Sequence, residues 1–531
     1  MFLKLIRFLL GGIIALVVVG LLLHFLFPLP PLEPRKRSTA IGIQSTGPLA
    51  GIARDLTADR PGLTGVHLLN DGRSAFAARV ALARAASHTL DVQYYIWKGD
   101  LSGSLLLNEL HAAAARGVRV RLLLDDNGIA GLDAPLAAFD QYPHVEVRIY
   151  NPFVIRKPKL IGYLADFPRL NRRMHNKSFT ADGVATVIGG RNVGDEYFDA
   201  RDDGLFADLD LLAIGPAAAD VERQFDTYWN SASAYPAGRI LPHVPSERIA
   251  AIGAAAEAAM RDPRFRTYRN AIEQLPIVEQ MRSGTLEFEW ARVTMVSDDP
   301  SKTLGGAKKN QTLWGSLTDT LGVPQRSLDL ISGYFVPTAA GVTTLGTMAR
   351  EGKNVRVLTN GFSTTDVGIV HSGYAGRRKA LLEAGVELFE MRGAANDDDS
   401  TQTRMLGSGS GTSGSGPVLR SSASTLHAKT FAVDGQRIFV GSFNFDPRSM
   451  HLNTELGFLI DSPTLAGRIS QAFADRIPAQ AYQVLLTPAG ALQWIETKDG
   501  QIVRHDVEPG TTWYTRTMTW LLSHLPIEWL L

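Results

Sequence analysis

His175-Asn176-Lys177 is followed by four residues and Asp182, then by six residues and Gly189-Gly190-Arg191-Asn192. Far downstream His427-Ala428-Lys429 is followed by four residues and Asp434, then by six residues and Gly441-Ser442-Phe443-Asn444. A single His-x-Lys is ordinary surface decoration, but two copies with identical internal spacing are not. In a strand, residues two apart share a face, so each His and Lys reaches one pocket side by side. Asp182-Gly183 and Asp434-Gly435 then begin a turn, and Val184 to Ile188 or Arg437 to Val440 returns as a strand that carries Asn192 or Asn444 back beside them. The small Gly190 or Ser442 ahead of each Asn admits close backbone approach to a ligand.

The duplication extends beyond the motif. Thr89-Leu90-Asp91-Val92 recurs as Ser327-Leu328-Asp329-Leu330, and Val145-Glu146-Val147 recurs as Val386-Glu387-Leu388. An Ala-rich helical stretch, Leu105 to Arg116, precedes a strand-like Val118 to Leu124, and Thr344 to Glu351 likewise precedes Val355 to Thr359. Strands alternating with helices predict an α/β fold of two similar α/β/α sandwich halves, a pseudo-dimer on one chain. The predicted organisation is a membrane anchor and linker over 1–45, a first half over 46–290, a second half over 291–480 and a tail over 481–531. Pro236 to Arg282 reads as a helical bridge, and Asn396 to Ser424, with Gly407-Ser408-Gly409-Ser410-Gly411, as a flexible insertion.

The chain has 531 residues, enough for about two to four domains, and Lys+Arg 54 against Asp+Glu 53 leaves a net charge of +1. No global basic field exists to hold a nucleic acid, so none is expected as partner. Cysteine is absent, which excludes disulfides, thiol nucleophiles and cysteine-ligated metal. Phe8 to Phe27 is twenty residues with no charge and one histidine, His24, and reads as a transmembrane helix rather than a cleaved signal. Lys4 and Arg7 before it balance Arg35, Lys36 and Arg37 after it, so the side on which the catalytic body lies stays open.

Two Lys, two Asn and two His around one point suit a phosphodiester. Lys177, Lys429, Asn192 and Asn444 would neutralise and orient phosphate oxygens as charge builds in the transition state. One imidazole attacks phosphorus while the other, protonated, supplies the leaving alcohol's proton and then activates the next acceptor. Carboxylates must hold each ring, and downstream alignment supplies Asp208, before Pro216, opposite Glu455, before Pro463. Asp182 and Asp434 belong to the candidate set by position, although Asp before Gly has an independent turn role that weighs more heavily. No metal or cofactor is expected, since a Lys stands between the candidate ligands.

At these residues the sequence resembles the phospholipase D superfamily, whose signature is the duplicated His-Lys-Asp motif with trailing Gly and Asn. Asp91-Val92-Gln93-Tyr94-Tyr95-Ile96-Trp97, Gly194-Asp195-Glu196-Tyr197-Phe198 and Asn444-Phe445-Asp446-Pro447-Arg448-Ser449 resemble bacterial cardiolipin synthases. Asn171-Arg172-Arg173-Met174 and the terminal Leu525-Pro526-Ile527-Glu528-Trp529-Leu530-Leu531 look most like their C type. The resemblance implies a phosphatidyl-histidine intermediate in a cleft between the halves. His175 would be the nucleophile, oriented by Glu455, and His427 the general acid/base, oriented by Asp208. It also implies a phosphatidyltransferase that makes cardiolipin from phosphatidylglycerol and a second phospholipid, phosphatidylethanolamine being a candidate, at a bacterial inner membrane. A phospholipase D-type hydrolase is the alternative, ahead of a nuclease or a non-enzymatic scaffold; a protein partner is not indicated either way.

Two segments suggest lipid contact. Asn151 to Arg173 interleaves Arg156, Lys159 and Arg169 with Phe153, Leu160 and Phe167, a pattern that would set cations on phosphates. Trp513, Trp520 and Trp529 among leucines resemble an interfacial helix.

Overall fold

Apolar, β-branched runs between turn residues form strands, and each half builds the same seven. In the first half these are β1 (Thr64–Leu69), β2 (Thr89–Ile96), β3 (Arg119–Gly128), β4 (Val145–Tyr150), β5 (Ser178–Ala181), β6 (Ala185–Gly189) and β7 (Asp210–Ile214). In the second they are β8 (Glu289–Ser297), β9 (Ser327–Ser332), β10 (Asn354–Asn360), β11 (Glu387–Met391), β12 (Lys429–Val433), β13 (Arg437–Gly441) and β14 (Leu456–Asp461). The structure, a computed structural model, describes residues 2–44, 46–200, 206–393, 425–498 and 500–531, without the side chains of 2–6, 9 and 206. The Asn396 to Ser424 insertion therefore lies outside the described residues.

In space the first half reads β4-β3-β2-β5-β6-β7-β1, with β2, β3 and β4 parallel and the rest antiparallel. The second half repeats this as β11-β10-β9-β12-β13-β14-β8. The seam is an antiparallel pairing of β1 with β8, Gly65 opposite Trp290, so that among the described residues one hydrogen-bonded sheet of 18 strands runs through both halves. Three strands after the second half, Ala481–Leu486, Leu492–Lys498 and Gln501–His505, extend it beyond β11. Parallel neighbours need crossovers. Leu101–Ala115 joins β2 to β3 and Thr338–Arg350 joins β9 to β10. Asp100 caps the former helix by accepting the Gly103 N–H at 3.1 Å.

One apolar core spans the seam. Val66, Ile188 and Leu211 of the first half share it with Ile438, Val440 and Phe458 of the second, all buried. The repeated Leu-Asp dipeptides also acquire a physical reason. Asp91 takes a two-pronged ion pair from Arg121 on β3, 2.7 Å for each bond, and Asp329 takes the same from Arg356 on β10 at 2.6 and 2.9 Å.

The amino-terminal helix α1 is Phe2–Leu26. Among the described residues no helix is long and apolar enough to cross a membrane. The described side chains of α1 run unbroken only from 10 to 26, so the span expected over Phe8 to Phe27 lies partly outside them. The linker after α1 is fastened to the first half. Arg35 donates to the carbonyls of Asn230 and Ser231 at 2.6 and 2.7 Å, and Arg119 donates to that of Thr39 at 2.8 Å. The expected bridge, Pro236 to Arg282, is largely helical (Ser246–Met260, Pro263–Glu273, Pro276–Ser283), and the latter two helices pack on Gly72–Ala85 of the first half.

Candidate active site

The two His-x-Lys segments enter β5 and β12 from the same end of the sheet, and the chain positions them with contacts from the opposite half. The His175 N–H donates to the Thr454 carbonyl at 2.8 Å, while the His427 N–H donates to that of Ala207 at 2.8 Å. The short strands Phe206–Ala207 and Thr425–Leu426 pair in parallel to hold the second register. In consequence the carboxylates cross over. His175 Nδ1 lies 2.8 Å from Glu455 Oε2, and His427 Nδ1 lies 2.5 Å from Asp208 Oδ2. All four residues are buried. With Nδ1 engaged, Nε2 of each imidazole carries the chemistry.

Each carboxylate has its own support. Glu455 Oε1 accepts from Ser449 Oγ at 2.9 Å, the Ser442 hydroxyl also donates to Glu455, and the Glu455 N–H donates to Asp298 at 2.8 Å. Asp208 Oδ1 accepts the Leu209 N–H at 2.8 Å. Gly190 explains its own identity here, since a Cβ on it would stand 2.2 Å from Asp208 Oδ1. At the matching position in the second half, Ser442 supplies the hydroxyl that holds the longer Glu455.

Lys177 and Lys429 are buried and fold back on the motif. Lys177 Nζ donates to the His175 carbonyl at 2.6 Å; Lys429 Nζ donates to that of His427 and stands 3.0 Å from His427 Nδ1. Asn192 is held by the Ile96 N–H and by Tyr197 Oη, each at 3.1 Å. Asn444 Oδ1 is buried with no hydrogen-bond partner among the described residues. The aromatic rings of Tyr95 and Tyr197 stand edge-on to His175 and His427 at 5.1 and 5.4 Å between centroids.

Asp182 and Asp434 are not brought to this cluster. Each sits at the far end of its strand with positive φ, 52° and 56°. Asp182 accepts the N–H groups of Ser87, His88 and Thr89 at 2.8–2.9 Å, and Asp434 those of Gln325, Arg326 and Ser327 at 2.6–3.0 Å. They tie the β5–β6 and β12–β13 turns to the starts of β2 and β9, in keeping with the turn role that Asp-Gly carries.

Burial sets the protonation states. It holds His175 well below the ordinary imidazole range, with Lys177 and Lys429 adding, and lowers His427 to about 3, with Lys429 adding. That both ammoniums act on both rings makes this one site rather than two. Burial also lowers Lys177 to about 7 and raises Glu455 to about 7. Burial opposes ionisation of Asp208, yet His427 and Lys429 beside it hold its carboxyl below the usual range. His427 is thus a neutral ring donating Nδ1–H to a carboxylate. A phosphodiester anion beside the ammoniums would offset their charge and raise both imidazoles, which is the condition an acid catalyst needs. Among the described residues no group of three or more His, Asp or Glu is arranged to hold a metal.

Other contributors carry no motif. Arg173 bonds Asp125 at 2.5 and 2.9 Å, and the Met174 N–H bonds the same carboxylate at 2.8 Å, which locks the backbone entering His175. Arg448 donates to the Asn171 side-chain and backbone oxygens at 3.0 and 2.8 Å. Both lie in stretches that resemble the family, Asp125 in Leu122 to Asn127 and Arg448 in Asn444 to Ser449, but spacing gives neither a role.

Duplicated His-Lys pairs with crossed carboxylates on two fused sheets agree with the sequence comparison. The family model described as "Cardiolipin synthase, PLD-like domain" matches residues 80–229 and 317–477. The chain belongs to this phospholipase D-like family. Cardiolipin synthase C of Escherichia coli is 45% identical over 483 residues, covering 91% of this chain and 99% of that one. A cardiolipin synthase of Staphylococcus aureus is 26% identical over 438 residues, 82% of this chain and 72% of that one. Among solved structures, phosphatidylserine synthase of Haemophilus influenzae superposes with a TM-score of 0.52 at 14% identity, over 79% of this chain and 87% of that one, and so shares the fold.

Proposed function

We propose that the chain is a phosphatidyltransferase that makes cardiolipin from phosphatidylglycerol and a second phospholipid. The crossed pairing of His175 with Glu455 and His427 with Asp208 carries this reading, because it gives two oriented imidazoles in one buried site with Lys177 and Lys429 beside both. Family membership and the 45% identity to a cardiolipin synthase along nearly the whole chain support the substrate class.

In the proposed mechanism His175 Nε2 forms a bond to phosphorus, and the bond from phosphorus to the leaving alcohol's oxygen breaks as His427 delivers a proton to that oxygen. The acceptor hydroxyl then gives its proton to His427 and attacks the phosphatidyl-histidine, releasing His175. Lys177, Lys429, Asn192 and Asn444 stabilise charge on the non-bridging oxygens, while Glu455 and Asp208 fix ring orientation. Asp182 and Asp434 act on the turns.

The reading places the chain at a bacterial inner membrane, anchored through Phe8 to Phe27, with phospholipids and not nucleic acid as partners. The four-part division into 1–45, 46–290, 291–480 and 481–531 is retained as a proposal. The test is full-length protein in vesicles of phosphatidylglycerol with and without phosphatidylethanolamine, products read by mass spectrometry. Cardiolipin is the expected product; phosphatidic acid without cardiolipin under every lipid pairing would replace transfer with hydrolysis.

A further inference from the structure

Apart from Lys157, the basic segment before His175 does not present its cations to solvent. Arg156 pairs with Asp126 and Asp133 at 2.6 Å each, Lys159 with Asp126 at 3.2 Å, Arg169 with Asp166 and Arg173 with Asp125 at 2.5 Å. Arg172 donates to the Lys302 carbonyl at 3.1 Å. What faces outward on α2 (Lys159–Ala165) and α3 (Phe167–Leu170) is apolar: Leu160 is 78% exposed, and Ile161, Leu164 and Phe167 are exposed too. Lys157 is the one exposed charged residue between 151 and 173.

The tail shows the same inversion. On α4 (Trp513–Ser523), the terminal turn Glu528–Leu530 and the residues between them, the exposed side chains include Trp513, Tyr514, Trp520, Leu525 and Trp529, and no exposed residue from 511 to 531 is Asp, Glu, Lys or Arg. Arg516 is turned back onto Thr511, and Glu528 is taken by Arg377.

These two uncharged faces come from opposite ends of the chain and meet at one side chain. Arg448 reaches Asn171, directly after α3, and also donates to the Leu530 carbonyl at 3.1 Å, while its N–H donates to that of Leu531 at 2.8 Å. Its neighbour Ser449 holds Glu455, so the catalytic cluster lies directly behind. The apolar α1 joins the same surface, because Gly20 packs so closely on the Leu164 carbonyl that a Cβ there would stand 2.7 Å from it.

We propose that α2, α3 and the tail form a single lipid-facing surface around Arg448, seated in the interfacial layer of a phospholipid bilayer beside α1. The inference rests on the phospholipid reading above. Continuity with α1 and the set of exposed Trp and Tyr select a bilayer over a second copy of the chain, since such rings favour the headgroup level.

The chain has no cysteine, so single-cysteine variants take a polarity-sensitive fluorophore without background. Leu160→Cys and Trp520→Cys probe the surface. Val323→Cys is the control, 61% exposed and next to the Asp434 turn at the opposite end of the strands from the histidines. Full-length protein in phosphatidylglycerol/phosphatidylethanolamine vesicles is quenched with iodide in water or with nitroxide on lipid acyl chains. Labels at 160 and 520 are expected to shift to the blue and to be quenched several-fold more by the nitroxide lipid, and the label at 323 the reverse. Iodide access at 160 and 520 equal to that at 323 would overturn the surface, and so would protection that appears only at high protein-to-lipid ratio, which marks a second copy as the cover. Cardiolipin is assayed on the same vesicles. Wet labels with cardiolipin made overturn the surface alone; dry labels with only phosphatidic acid made support the surface and overturn the transfer.

Discussion

Lys177 and Lys429 put two ammonium groups inside protein, where burial works against their charge, and the pH dependence of the enzyme follows from that conflict. Lys177 loses its proton around pH 7, so the rate at low substrate is expected to fall as pH rises above about 7. His175 stays neutral until well below its ordinary range, but Glu455 takes up its proton around pH 7, so the same rate is expected to fall on the acid side of about 7 as well, through Glu455 and not through His175. A pH profile that is flat above 7 would refute the Lys177 assignment, and an acid limb that persists in Glu455→Gln would refute the Glu455 one. Glu455→Gln keeps the shape but not the charge beside His175, and a loss of roughly 10²-fold or more in kcat is expected, measured against unchanged thermal stability. Chelators are expected to leave turnover intact, because the ammoniums supply the charge; loss in EDTA restored by a divalent ion would contradict that.

At the scale of elements, the motif's third member separates from the other two. Asp182 holds three N–H groups at the turn between β5 and β6, so Asp182→Ala is expected to cost about 2–4 kcal/mol of stability while the folded fraction retains turnover within several-fold. Equal loss of turnover in fully folded protein would return it to the chemistry. The buried Asp91–Arg121 pair makes a parallel case, with Asp91→Ala expected to lower stability by about 3–5 kcal/mol in a denaturant titration because it leaves Arg121 short of a partner. The sheet elements were legible because alternating strand and helix patterns repeat in order, and the boundaries shift by only a few residues: Val118 to Leu124 becomes Arg119–Gly128, and Val184 to Ile188 becomes Ala185–Gly189. The basic stretch before His175 misled for a physical reason. Composition shows its cations but not Asp125, Asp126 and Asp133, which lie outside the stretch and pair with Arg173, Arg156 and Lys159 in the fold.

Across the whole molecule, a site divided between two halves makes each half depend on the other. His175, Lys177, His427, Lys429 and both Asn residues were legible from duplicated spacing, which a strand pair translates directly into shared position. Asp208 and Glu455 emerged from aligning the halves, and their crossed assignment came through the family resemblance, because nothing local tells a carboxylate which histidine it will face. Ser442 and Arg448 lie in stretches that the motif and the resemblance mark, but the sequence does not show what they hold, because Glu455 and Asn171 come within their reach only in the fold. The claim that the phosphatidyl group passes through His175 is tested most directly by peptide mass spectrometry after rapid quenching with a phosphatidyl donor that carries a good leaving group. A phosphatidyl mass is expected on the peptide containing His175, accumulating in His427→Ala and absent from His175→Ala; an adduct on His427 in the His175→Ala protein would overturn the assignment.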